Sequence, residues 1–171
     1  MLPDFKELLR SFNDHDVKYL IVGGYAVSFH SQPRATKDLD IFIKPDAENA
    51  KAVYAALASF GAPLQNITVE DLANPTKFIR FGREPVAVDL LPAIDGVDFD
   101  TAWKHRVSAM IDPAIGQTAL FISEADLIAS KTAAGRIRDL ADVEELHAAA
   151  SQRARAEEKR TQTEPGESGR S

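Results

Sequence analysis

The run K-Y-L-I-V-G-G-Y-A-V-S-F-H-S-Q-P-R-A-T-K-D-L-D-I-F-I, from Lys18 to Ile43, constrains this chain more than any other stretch. Its pattern reads as strand, glycine turn, short helix, loop and strand. Residues 18–22 are β-branched and aromatic enough for a buried strand. At Gly23 and Gly24 the missing Cβ atoms let backbone N–H groups turn outward at the start of a helix, where they can receive a phosphate. Taken alone, Gly-Gly after a strand is more often a plain tight turn. Beyond a loop holding Pro33, Arg34 and Thr36, the run D-L-D-I-F-I alternates with period two. Leu39, Ile41 and Ile43 then face the core while Asp38 and Asp40 share the other face.

Two carboxylates side by side repel each other and need a cation. A pair of divalent metals bridging them to a triphosphate gives this geometry a purpose. A D-x-D at the head of a strand is by itself usually a solvated strand start. What carries the reading is the order: strand, Gly-Gly, thirteen residues, then two carboxylates on an apolar strand. A third carboxylate follows in F-I-R-F-G-R-E-P-V-A-V-D-L-L-P, where Asp89 shares its strand face with Ala87 and Leu91. An aspartate among apolar neighbours is unfavourable unless it meets a cation or donors, although capping a nearby loop would also satisfy it.

These motifs together resemble the nucleotidyltransferase superfamily of the DNA polymerase β type, in its small bacterial form. Gly23, Gly24, Asp38 and Asp40 match the family's glycine turn and D-x-D strand, and Asp89 its later carboxylate. G-V-D-F-D-T-A-W and D-L-I-A-S-K-T-A-A-G-R-I-R-D-L-A-D are similar to the AbiEii-like branch, which includes toxins of type IV toxin–antitoxin pairs. The likeness covers roughly residues 18–147. It implies a polymerase β-like α/β fold, a mixed sheet flanked by helices. It also implies transfer of NMP from an NTP, with two Mg²⁺ ions held by Asp38, Asp40 and Asp89 as metal ligands and catalytic residues. Gly23, Gly24, Arg34, Thr36 and Lys131 form the implied nucleotide-binding set, with Arg138 and Asp139 nearby. The implied acceptor is an RNA, such as a tRNA 3′ end, or a protein hydroxyl, with a cognate antitoxin or toxin as partner. A nucleotide- or partner-binding module with little catalysis, such as the antitoxin of a pair, is the competing reading.

At 171 residues and 44% hydrophobic content, the chain has the length and apolar content of one ordinary domain. It has no cysteine, hence neither a disulfide scaffold nor a thiolate zinc site, which fits a cytoplasmic location. Neither a signal peptide nor a run long enough for a membrane span is present, so no membrane partner is expected. Net charge −6 argues against nonspecific coating of nucleic acid but allows a local basic rim, for which Arg34, Lys37, Lys77, Arg80, Arg83 and Lys131 are candidates.

In chain order, Phe5, Leu8, Leu9 and Phe12 predict an amphipathic helix over 3–15, and the pattern recurs over 46–60 before Gly61. Thr68 caps a short turn, and strands are predicted at 76–81 and 86–91 with G-R-E-P between them. A short helix over 98–105 is anchored by Trp103, and strands follow at 106–111 and 117–122. Ser123 caps the next helix, on which Lys131 lies on or beside an apolar face and so needs an anion, which a triphosphate or the Asp cluster would supply. After Gly135, Arg138 and Asp142 have the spacing of a helix-surface pair. Residues 1–150 are expected to form the domain, and 151–171 a fraying helix and charged, disordered tail.

Overall fold

A computed structural model of the protein describes residues 1–83 and 86–163, without the side chains of Arg83, Gln162 and Thr163. Its centre is a six-stranded mixed sheet with strand order β3-β4-β2-β1-β6-β5. These are β1 (Tyr19–Ile21), β2 (Leu39–Ile43), β3 (Ile79–Arg83), β4 (Val86–Leu91), β5 (Val107–Asp112) and β6 (Gln117–Phe121). β1 runs antiparallel to β2 and parallel to β6, and β2 runs parallel to β4. The edge strands β3 and β5 close the sheet as antiparallel partners of β4 and β6. The helices are α1 (Pro3–Asp14), α2 (Gly23–His30), α3 (Ala47–Phe60), α4 (Val69–Ala73), α5 (Phe99–His105), α6 (Glu124–Ala134) and α7 (Ile137–Thr163). α1, α3 and α4 pack together as one group, and α2, α6 and α7 as another. The architecture is thus the expected mixed sheet flanked by helices.

Local chemistry explains the boundaries. α3 starts where the Asp46 side chain accepts the Asn49 N–H and stops at Gly61, which takes the left-handed conformation (φ 84°). Thr68 and Asp71 form a reciprocal capping box on α4, and Ser123 accepts the Asp126 N–H at the start of α6. Two expectations shift. β1 begins at Tyr19 because Lys18 is taken by Asn49, whose side chain accepts its N–H and donates to its carbonyl. β3 begins at Ile79, three residues later than predicted, because Asn74 holds a turn through the Thr76 N–H and hydroxyl and through its own carbonyl to the Lys77 N–H. At its other end, Gly82 and Arg83 pair in the ladder with Ala87 and Val86, although their sequence reads as connection. The Glu84-Pro85 part of that connection lies outside the described residues.

The core is continuous from α1 through β1 and β2 to α3, with Leu8, Phe12, Tyr19, Ile41 and Leu57 removed from solvent. Phe42 lies on the carboxylate face of β2 but further along it, and is covered edge-on by Phe99 of α5 at 4.9 Å. Phe99 in turn stacks on Trp103, over which Arg106 sits at 4.2 Å. α7 continues as one helix past Ser151 to Thr163, with Arg153 bonded to Glu124 and to the His30 carbonyl. The final part of the predicted tail, 164–171, lies outside the described residues. Among the described residues, no helix is long and apolar enough to cross a membrane.

Candidate active site

β2 and β4 are parallel neighbours in a register that sets Asp40 directly opposite Asp89. Asp38 stands just before β2, its Oδ1 accepting the Ala87 N–H at 3.2 Å. The three predicted carboxylates therefore line the same cavity, of about 830 Å³, together with Gly23 and Gly24. β3 adds a cation. Arg80, the register partner of Asp89, donates from Nη1 to both Asp89 oxygens at 3.2 and 3.0 Å and from Nη2 to Asp38 Oδ2 at 3.2 Å.

The glycine turn meets the carboxylates directly. A Cβ on Gly23 would overlap the Asp40 carboxylate, and Gly23 also has φ 60°, so the position is closed to other residues on both counts. The Gly24 N–H faces the Asp40 carboxylate and favours its ionised form. Thr36 packs over Gly24, where an added Cβ would come within 2.6 Å of its hydroxyl.

Charge is concentrated on this wall. Burial, reinforced by the charges of Asp89 and Asp38, pushes the Asp40 carboxyl up to about 6, against the Gly24 N–H and Lys131. Burial also raises Asp89, with Asp38 adding to it and Arg80 opposing.

The opposite wall is formed by the predicted cations, and it is neutralised from within. Lys131 lines the cavity as predicted, but its anions are Asp139 at 3.1 Å and Asp142 at 2.7 Å, not the Asp38–Asp40–Asp89 group. Arg34 donates to Asp142 at 2.6 Å and lies 3.7 Å from Glu145, and Arg136 reaches Asp139 at 2.6 Å. Burial opposes ionisation of Asp142, but hydrogen bonds from Arg34 and Lys131 outweigh it and hold its carboxyl below the ordinary range. Asp139 is lowered in the same way, by Arg136 and then Lys131 against its burial. Asp142 is thus turned inward, not paired with Arg138 along the helix surface. Arg138 and Lys37 line the cavity, whereas Lys77 is drawn away to Asp71 at 2.7 Å.

Sequence reasoning missed the role of Asp142 as the common partner of Arg34 and Lys131, because 108 residues separate it from Arg34. Its i,i+3 spacing from Asp139 was the available signal, since it places both carboxylates on one helical face. Phe78, half-exposed at the cavity wall, left no signal beyond its place at the head of an edge strand.

The donor set suits a hard divalent cation, being carboxylate oxygens crowded enough to raise one another's affinity for positive charge. A guanidinium already spans two of them. Among the described residues, no group of three or more His, Asp or Glu side chains is drawn around one point as a finished metal cluster.

A family described as "Nucleotidyltransferase of unknown function (DUF6036)" matches residues 2–152. Among solved structures, that of the lincosamide antibiotic adenylyltransferase LnuA, bound to lincomycin, aligns with TM-score 0.51 at 15% identity, over 86% of this chain and 96% of that one. At that identity the likeness is one of fold. No curated protein matches the chain.

Proposed function

The match spans most of the chain, so the protein belongs to that family of nucleotidyltransferases, and from this premise we propose that it moves NMP from an NTP to a hydroxyl at the Asp38–Asp40–Asp89 wall. The single observation that supports this most is the register of β2 and β4. It sets Asp40 against Asp89 beside a glycine turn, with Asp38 two residues ahead of Asp40 and lining the same cavity.

In this reading Asp38, Asp40 and Asp89 would hold two Mg²⁺ ions, Asp89 being a ligand of the one that activates the acceptor. When bound, the metal supplies Lewis-acid stabilisation of charge on the triphosphate and lowers the pKa of the acceptor hydroxyl. Asp89 receives the hydroxyl proton. The acceptor oxygen bonds to the α-phosphorus as the bond to pyrophosphate breaks. Lys131, Arg34 and the Gly23–Gly24 turn, with Thr36 beside it, face the departing negative charge. Asp139 and Asp142 hold Lys131 and Arg34 in fixed directions, so little reorganisation is needed when the phosphates arrive.

We include in the proposal a cytoplasmic location, an RNA or protein hydroxyl as acceptor and a role in a toxin–antitoxin pair. The support for the AbiEii-like branch is the quoted stretches around Trp103 and Lys131. The test is incubation with each α-labelled NTP, Mg²⁺ and total RNA or cell lysate, beside Asp40→Asn. Label is expected in a macromolecule with one NTP and lost in the variant. Transfer unchanged by Asp40→Asn in single turnover would defeat the assignment.

A further inference from the structure

Of the cations around the cavity, Arg80 differs from the rest in where it sits. Lys131 has a side chain only 11% exposed and is held by two carboxylates on the opposite wall. Arg80 has a side chain 43% exposed and stands on the edge strand β3. It spans the two carboxylates that come from different places in the chain, Asp38 ahead of β2 and Asp89 on β4. Both oxygens of Asp89 and one of Asp38 are engaged by it. The other Asp38 oxygen accepts the Ala87 N–H. A divalent ion binding Asp38 and Asp89 therefore needs oxygens that Arg80 already uses.

We propose that Arg80 is a displaceable internal cation, a positioning residue that holds Asp38 and Asp89 together before metal arrives and yields their oxygens to it. The inference rests on the reading of these carboxylates as the metal seat. Three features carry it. First, the two guanidinium nitrogens bond one carboxylate each, so the side chain fixes the spacing of groups that would otherwise repel. Secondly, the Arg80–Asp38 pair is exposed at both ends, 43% and 37%, and is worth on the order of 1 kcal/mol, so a divalent ion can replace it there even though the Asp89 end is buried, whereas Lys131 is enclosed together with both of its carboxylates. Thirdly, the Arg80 side chain is 43% exposed, so it can swing toward solvent as metal takes its place. Arg80 accordingly opposes the binding of free metal while keeping the seat assembled.

The test measures Mn²⁺ binding to the nucleotide-free protein by calorimetry, with free Mn²⁺ followed by electron paramagnetic resonance. Arg80→Ala is expected to bind Mn²⁺ roughly tenfold more tightly than the parent, the scale of about 1.4 kcal/mol for an ion pair that no longer has to be broken. Arg80→Lys, with one prong and a shorter reach, is expected to fall between them. Arg10→Ala, an equal change of charge on the exposed face of α1, is expected to bind as the parent does. Equal or weaker affinity in Arg80→Ala, or no measurable binding in either protein, overturns the inference. Adding Asp40→Asn to Arg80→Ala separates this from the underlying reading. Mn²⁺ affinity that survives that change removes the carboxylates as the metal seat. Affinity lost with it, alongside an Arg80→Ala value equal to the parent's, removes only the role of Arg80.

Discussion

Replacing Asp40 by asparagine should make the metal-free protein more stable while ending its activity. The Asp40 carboxyl is raised from 3.8 to about 6, first by burial and then by Asp89 and Asp38. A group raised in the folded state stabilises the fold below its unfolded value, and that contribution is lost as pH rises through the folded one. Between about pH 4 and 6 the parent should therefore lose stability that a neutral side chain keeps. The shift of roughly two units corresponds to about 3 kcal/mol at pH 8. Asparagine keeps an amide oxygen facing the Gly24 N–H, so the gain should not be cancelled at that end of the side chain. For a chain of this size the expected rise in Tm is roughly 5–10 °C. The assay is thermal and urea unfolding of both proteins in EDTA, from pH 4 to 8. The curves should coincide at pH 4 and diverge by pH 8, and added Mn²⁺ should raise the parent more than the variant. An asparagine variant no more stable than the parent at pH 8 would refute the argument that the carboxylates are crowded.

Gly23→Ala should destabilise the protein by about 2 kcal/mol, from its positive φ and from overlap with Asp40, whereas Gly24→Ala meets only the movable Thr36 side chain and should cost less. Urea midpoints in the reverse order would contradict the placement of the turn. Lys131→Ala should weaken NTP binding and also cost about 2 kcal/mol of stability, because Asp139 and Asp142 are buried and lose one of their cations. Calorimetry with Mg²⁺ beside a urea titration checks both parts, and an unchanged midpoint would return the lysine to a solvated surface. Removing residues 151–171 should cost no more than about 1 kcal/mol, since the Arg153 pair it deletes is half-exposed. A truncated chain that fails to fold would place part of the core in that segment.

The helices and strands were legible wherever a cap or a hydrophobic period was local. Thr68, Ser123 and Gly61 marked their helix ends, and alternation in D-L-D-I-F-I put both aspartates on one face. Asp89 could be placed on a strand but not in register, because register between β2 and β4 is set by pairing across some fifty residues of sequence. The opposite wall was the least legible. Lys131 was recognisable as a cation needing an anion, but the choice among anions depends on how α7 packs against α6 and the loop before β2. The start of β3 was missed because Asn74 forms a side-chain turn that competes with the strand pattern.

The dependence of Arg34 and Lys131 on Asp139 and Asp142 sets an order of assembly. The sheet that carries Asp38, Asp40 and Asp89 is complete once β6 has been made, while the carboxylates that aim the cations come from the first turns of α7. During synthesis the acidic wall can therefore form while the ribosome still covers the residues that orient its counterpart. A nascent chain exposed only as far as α6 would already hold Arg80 on Asp38 and Asp89 but leave Arg34 and Lys131 without the carboxylates that aim them, so competence for a triphosphate arrives last, with the emergence of a single helix.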